Sequence, residues 1–328
     1  MNNACKKHRF AFEIRNLTIK NLEEGIKFAK SNDFDVIVLP CKAWMYREEL
    51  GKVYDEETCK EIAKLGKEFH IHSEPESKRN MNKINGKYKE ERDKSVKMFQ
   101  EMVEFFSDPK LNVQPEFFET HSSILPQNQI PTVNNVNYLV SALSKIYHSK
   151  NSNSKMKLGL EYGRRNTCFT AGYIDTENNI TYIEKVMNSE CNHEGCKEKI
   201  KDHYQFIYDV ALAYCDMVRI YPNLNQKEKM LETLKNYIQN YTISKIHWSN
   251  ASIIPRGDKK SFTHASLKHG DLNDNDYKQI MSILVKNSTS DRHFVHLLEH
   301  TGGDNLFVEE KKILEKIIKD IENKQKLA

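Results

Sequence analysis

One pattern recurs along this chain of 328 residues and constrains its fold more than any other feature. A short apolar, β-branched or aromatic run is followed by a helix-length amphipathic stretch. The candidate strands are His8–Arg15, Phe34–Lys42, His70–Pro75, Pro115–Ser122, Lys157–Gly163, Tyr204–Tyr214, Ile243–Asn250 and His293–His300. Between and after them lie periodic stretches such as NLEEGIKFAK, RDKSVKMFQEMVEFF, VNYLVSALSKIY, EKMLETLKNYIQNY, DYKQIMSILVKN and VEEKKILEKIIKDIENK. The stretch after the fifth strand, ITYIEKVMNSE, carries the weakest helical pattern. Eight strands alternating with helices predict a (β/α)8 TIM barrel, and a doubly wound sheet shows the same alternation. No linker rich in Pro, Gly or Ser interrupts the pattern, so residues 1–328 are expected to form a single domain.

Composition excludes several classes. Hydrophobic residues make up 38% and the net charge is +4, too balanced for wholesale disorder. Gly 12 and Pro 8 exclude a collagen-like or low-complexity chain. No apolar run reaches the ~18 residues of a membrane span. The N-terminal MNNACKKHRFAFEIR lacks an apolar core and a small-residue cleavage site, so an intracellular protein is expected, with nuclear, cytoplasmic and viral compartments all open. Seven scattered cysteines read as reduced thiols rather than a disulfide framework. One local group, Cys191-Asn-His193-Glu-Gly-Cys196, holds three candidate ligands within six residues. Without a fourth they make a poor tetrahedron, so the segment is expected to be an ordinary loop rather than a zinc site or a local disulfide.

In a barrel, chemistry sits at the carboxyl ends of the strands. From the third strand onward each end carries an imidazole or a carboxylate: His72, His121, Glu161, Asp209, His247 and Glu299, with His264 in the loop after the seventh. Burying such groups costs several kcal/mol unless they are paired or bind a metal. Histidine with carboxylate, and no clustered cysteine among them, is a donor set for Zn²⁺, Mn²⁺ or a related ion. Taken one at a time, each residue reads equally as a hydrogen-bonded core histidine or an ion-paired acid.

These residues carry a family resemblance. The chain resembles the endonuclease IV family of apurinic/apyrimidinic endonucleases, barrels of the wider xylose isomerase-like superfamily. LLEHTGGDN at 297–305 is similar to that family's Leu-Glu-Thr-Pro-Gly-Gly-Asp-Asn signature. HASLKHGDL at 264–272 resembles its metal-binding histidine and following Gly-x-Gly turn, with Lys268 and His269 intruding, while HIHSEP, FFETHSS and LGLEYG match the ligand-bearing ends of strands three to five. The resemblance implies that His72 and His121 hold a first metal, that Glu161 bridges to a second, and that Asp209, His247 and Glu299 complete the second. Glu161 and Glu299 are the implied catalytic carboxylates. The implied reaction is hydrolysis of the phosphodiester 5′ of an abasic or damaged nucleotide in base-excision repair, leaving a 3′-hydroxyl and a 5′-deoxyribose phosphate.

Two departures lower the expected metal count. The family's third metal uses a histidine three residues after the sixth-strand Asp and an Asp two residues before the loop histidine, and here those positions are Leu212 and Phe262. His264 alone cannot hold that ion, so about two Zn²⁺ (or Mn²⁺) ions are expected. Losing one electrophilic contact of this kind costs about 10²–10³-fold in rate. The residues after the third strand, Pro75 and Glu76, replace the family's aromatic and apolar wedge, which leaves Trp44, Met45 and Tyr46 as candidates to enter or stack on DNA.

Basic residues follow the strands: Lys42 and Arg47, Lys78 and Arg79, Arg164 and Arg165, and Arg256. On a barrel they share one face, which suits a polyanion. With Trp44 and Tyr46 they form the expected DNA-binding set of a monomer acting on damaged DNA, with no membrane partner. Two other readings use the same barrel: a metal-dependent sugar isomerase or epimerase, and a nucleic-acid-binding relative whose metal site has decayed.

Overall fold

A computed structural model describes residues 7–14, 19–40, 68–73, 84, 88–111, 114–121, 132–161, 173–175, 180–220, 224–256, 259–289, 291–299 and 303–327. Eight strands close into a barrel: β1 (His8–Glu13), β2 (Val36–Pro40), β3 (Glu68–His72), β4 (Phe117–Thr120), β5 (Lys157–Glu161), β8 (Tyr204–Asp209), β9 (Ile243–Trp248) and β12 (Phe294–Leu298). Between β5 and β8, β6 (Tyr173–Asp175) and β7 (Ile180–Thr181) form a separate antiparallel pair. The order around the barrel is β1-β12-β9-β8-β5-β4-β3-β2. The predicted (β/α)8 barrel is therefore the fold observed, and the doubly wound alternative is excluded. No helix among the described residues is long and apolar enough to cross a membrane. The residues cluster into two compact units, 13–206 and 1–12 with 207–328.

Within 13–206, β2 pairs with β3, β3 with β4 and β4 with β5, all parallel. Helix α1 (Ile19–Ser31) precedes β2. Alternation sorts each strand into two faces. Phe118 of β4 meets Phe99 and Phe106 of α2 (Lys89–Ser107), so Phe117, Glu119 and His121 share the opposite face. The same period places Glu68, His70 and His72 together on β3, and Gly159 and Glu161 on β5. Helix α3 (Val133–His148) opens on a capping box between Thr132 and Asn135.

Within the other unit, β1 and β9 both pair parallel with β12. A polar chain runs through its core: Trp248 Nε1–H donates to His296 Nδ1 at 2.9 Å, and His296 Nε2 lies 2.9 Å from His8 Nδ1. The indole has no acceptor to offer, so neutral His296 keeps its proton on Nε2 and donates it to His8. Burial, then the His8 charge, holds His296 well below the usual imidazole range, and burial with the Lys7 charge lowers His8 to about 4.

Three boundaries differ from expectation. Sequence patterning extends the sixth strand to Tyr214, but it stops at Asp209, and Val210–Ile220 form a helix (α6). The Asp209 carboxylate accepts the Leu212 N–H at 2.7 Å and so caps a helix whose apolar residues mimic strand composition. The stretch beginning at Ile180 contributes the two-residue β7 and then a short helix, Tyr182–Asn188 (α4). After β9 comes an antiparallel hairpin, β10 (Asn250–Arg256) with β11 (Lys259–Ala265), in a region expected to be a loop. Its strands carry Ser-Ile-Ile and Lys-Ser-Phe-Thr around Gly257-Asp258, a local signal for a hairpin.

The two buried histidines make a pH prediction. The unfolded chain protonates them near the ordinary value of 6.5 and the folded chain does not, so stability falls as pH drops below 6.5, with His8 contributing down to about 4 at up to about 1.4 kcal/mol per pH unit. In a titration followed by ring resonances, His296 should stay neutral through the ordinary imidazole range, and His8 should titrate near 4. A midpoint near 6.5 for either would overturn the assignment.

Candidate metal centre

Two clusters of buried ligand-type side chains stand at strand ends, one in each unit. In the first, β3 ends on His72 and β5 on Glu161, while His121 follows the last residue of β4. Register aligns them: His72 stands opposite Glu119, and Thr120 opposite Leu160. Buried Ser73 locks the β3 and β4 ends together, its N–H donating to the Glu119 carbonyl at 3.2 Å and its Oγ accepting the His121 N–H at 3.1 Å.

The side chains converge. His72 Nε2 lies 3.0 Å from His121 Nε2 and 3.5 Å from Glu161 Oε2, and His121 Nε2 lies 2.8 Å from the same oxygen. His72 Nδ1 donates to Glu13 Oε1 at 2.8 Å. A carboxylate can only accept, so this bond puts a proton on Nδ1 and turns Nε2 toward His121 and Glu161. Burial works against a charge on His72, but Glu119, Glu13 and Glu161 together outweigh it and raise its pKa well above the usual value. Three carboxylates packed around two imidazoles demand positive charge, and the retained proton answers that demand. The donor set therefore fits a divalent cation, which competes with the proton for Nε2.

The second cluster holds Asp209 at the end of β8, His247 near the end of β9 and Glu299 just after β12. Each offers a ligand atom within 4.8 Å of the others. His247 Nδ1 lies 2.9 Å from Glu299 Oε2, and Asp209 and His247 are fully buried. His264 comes from β11 of the hairpin, its Nε2 3.6 Å from Asp209 Oδ2 and its Nδ1 3.9 Å from Glu299 Oε1. The hairpin base is held by Asn250, which donates to the carbonyls of Leu267 and Leu272 and accepts the Leu272 N–H. A Cβ at Gly270 would overlap the Asn250 amide, so glycine is required there by space. Lys268, which interrupts the family-like turn, pairs with Glu309 at 2.7 Å. Leu212 offers no ligand: its side chain is buried and its N–H serves Asp209.

Sequence reasoning missed Glu13 and Glu119. Glu119 precedes His121 by two residues, so strand alternation puts both on one face. Glu13 closes β1 as the other acids close later strands. Of the expected DNA-binding set, Lys42, Trp44, Tyr46, Arg47, Lys78, Arg79, Arg164 and Arg165 lie outside the described residues. The backbone of Arg256 ends β10, opposite Lys259.

Comparison with known proteins rests on structure. No family model matches the chain, and no curated protein matches it. An L-ribulose 3-epimerase aligns with a TM-score of 0.64 at 14% identity, over 98% of this chain and 97% of its own. Endonuclease IV from Thermus thermophilus aligns at 0.59 and 14%, over 96% and 99%. A xylose isomerase-like TIM barrel protein from Mycobacterium smegmatis, solved in complex with magnesium, aligns at 0.56 and 15%, over 98% and 100%. These alignments show a shared fold, the TIM barrel.

The Glu13–His72 bond is directly testable. Glu13→Gln should weaken divalent-metal binding by about 10- to 100-fold in a competition titration, with the fold retained by circular dichroism. Unchanged affinity would show that Glu13 does not orient the ligand.

Proposed function

We propose that this chain is a divalent-metal-dependent phosphodiesterase resembling endonuclease IV, incising DNA 5′ of abasic or damaged nucleotides in base-excision repair with two ions. The observation that carries this reading is the His72–His121–Glu161 cluster, present in addition to Asp209, His247 and Glu299. One ion on the second set would serve a sugar isomerase or epimerase. His72 and His121 would have no task there, and with Glu161 they suit a second ion.

Ions bound at these sets would supply charge against a phosphodiester and lower the pKa of an attacking water. The protein's own residues set the stage. Glu13 orients His72; His72, His121 and Glu161 would hold the first ion, and Asp209, His247 and Glu299 would complete the second. His264 stands beside Asp209 and Glu299, where an imidazole can add a ligand or meet a phosphate oxygen. The basic residues from Lys42 to Arg256 are proposed to bind the DNA backbone. With Leu212 and Phe262 in place of third-site ligands, turnover is expected to be about 10²–10³-fold slower than with three ions.

The epimerase reading is favoured by alignments with sugar epimerases, among them an L-ribulose 3-epimerase. A decayed DNA-binding relative is favoured by Leu212 and Phe262. Incubation with a duplex carrying one abasic analogue separates the three. Incision with Zn²⁺ or Mn²⁺, lost with chelator and reduced at least ~10²-fold in Glu161→Gln, is the expected result. A wild type inactive with Zn²⁺, Mn²⁺ and Mg²⁺ would sink the nuclease reading. Salt-sensitive duplex binding would then point to the decayed relative, and ketose epimerisation to the other enzyme.

A further inference from the structure

A second kind of ligand cluster lies in the unit 13–206, away from the strand ends. The Cys191–Cys196 segment was expected to be an ordinary loop for want of a fourth ligand. The structure corrects this by bringing two histidines to it from elsewhere in the chain. His148 is the last residue of α3, and His203 is the last residue of a short helix, Ile200–His203 (α5). Ligand atoms of His148, Cys191, Cys196 and His203 all lie within 4.8 Å of one another. His193, the third candidate within the segment, is not among them. It stacks on His148 instead, ring centroids 3.7 Å apart.

We propose that Cys191, Cys196, His148 and His203 form a structural zinc site. Sulfur and nitrogen bound tetrahedrally to one Zn²⁺, at about 2.3 and 2.0–2.1 Å, stand about 3.5–3.6 Å apart. The His148 Nε2–Cys191 Sγ and Cys196 Sγ–His203 Nε2 separations are 3.3 and 3.5 Å. Both imidazoles are held face-on, His148 by His193 and His203 by Tyr147 with centroids 3.8 Å apart. Two thiolates balance the charge of one Zn²⁺, and soft sulfur donors disfavour Mg²⁺ or Ca²⁺.

The backbone is built as a clasp. Glu190 and Lys199 bridge antiparallel, the Cys191 N–H donates to the Glu198 carbonyl at 2.8 Å, and the Cys196 N–H to that of His193 at 3.0 Å. Gly195 takes a φ of +80°, a conformation that favours glycine, immediately before Cys196. The Asn192 N–H donates to Ser144 Oγ at 2.9 Å, tying the clasp to α3. Four protein ligands close the coordination sphere and leave no position for substrate, so the site's work is to staple residues 191–203 to the carboxyl end of α3, where helix carbonyls favour a cation.

The site can be read independently of the barrel because no cysteine is among the proposed catalytic ligands. The full chain, purified under reducing conditions and stripped of metal, is titrated with Co²⁺. The expected result is a saturable thiolate-to-cobalt charge-transfer absorption that is abolished in Cys196→Ser. His148→Asn, on the exposed end of α3, should keep the fold and weaken or shift that band. Glu161→Gln should leave it intact. Absence of the band in the wild type, or a Cys191–Cys196 disulfide in the reduced preparation, would overturn the assignment, whatever the incision assay shows.

Discussion

An ionisable group buried at the end of a barrel strand must be paired, protonated or bound to a cation, and the arrangement of this protein's candidate centre follows from that requirement. Around His72 the balance is tipped by carboxylates: Glu13 accepts the Nδ1–H hydrogen bond, and Glu119 and Glu161 add negative charge nearby. The imidazole is held in one orientation as a consequence. His296 meets the opposite solution, kept neutral by burial and the His8 charge while Trp248 and His8 satisfy its two nitrogens. Both are strand histidines, and their neighbours alone make one a ligand candidate and the other core.

The chain separates hard and soft donors. Oxygen and imidazole gather at strand ends, where carboxylates on adjacent or nearby strands can approach each other. Thiolates gather on a turn pinned to a helix end, where two sulfurs and two imidazoles can close a tetrahedron. The separation has chemical sense. An all-protein N2S2 shell resists exchange and leaves nothing open, whereas carboxylate-rich shells leave room for water and phosphate.

Much of the barrel was legible because its signals are local. Short apolar runs mark β2 and β12, and amphipathic stretches mark α2 and α3. The errors fall where local composition is ambiguous. Val210–Tyr214 reads equally as strand or helix, and an aspartate cap decides it. The hairpin carrying His264 was hidden inside what looked like a connection. The ligand residues themselves were legible as types at strand ends, since period-two alternation says which residues share a face. Glu119 was available from the same rule.

What the chain's order of residues settled was the alternating architecture and the residue types at its strand ends, because both are written in windows shorter than one strand and one helix. Convergence was settled only by folding. Glu13 reaches His72 across 59 positions, and His148 reaches Cys191 across 43. No periodicity spans such gaps: strand pairing and helix packing choose which distant side chains meet, and the cost of burying their charge decides which of those meetings need a metal.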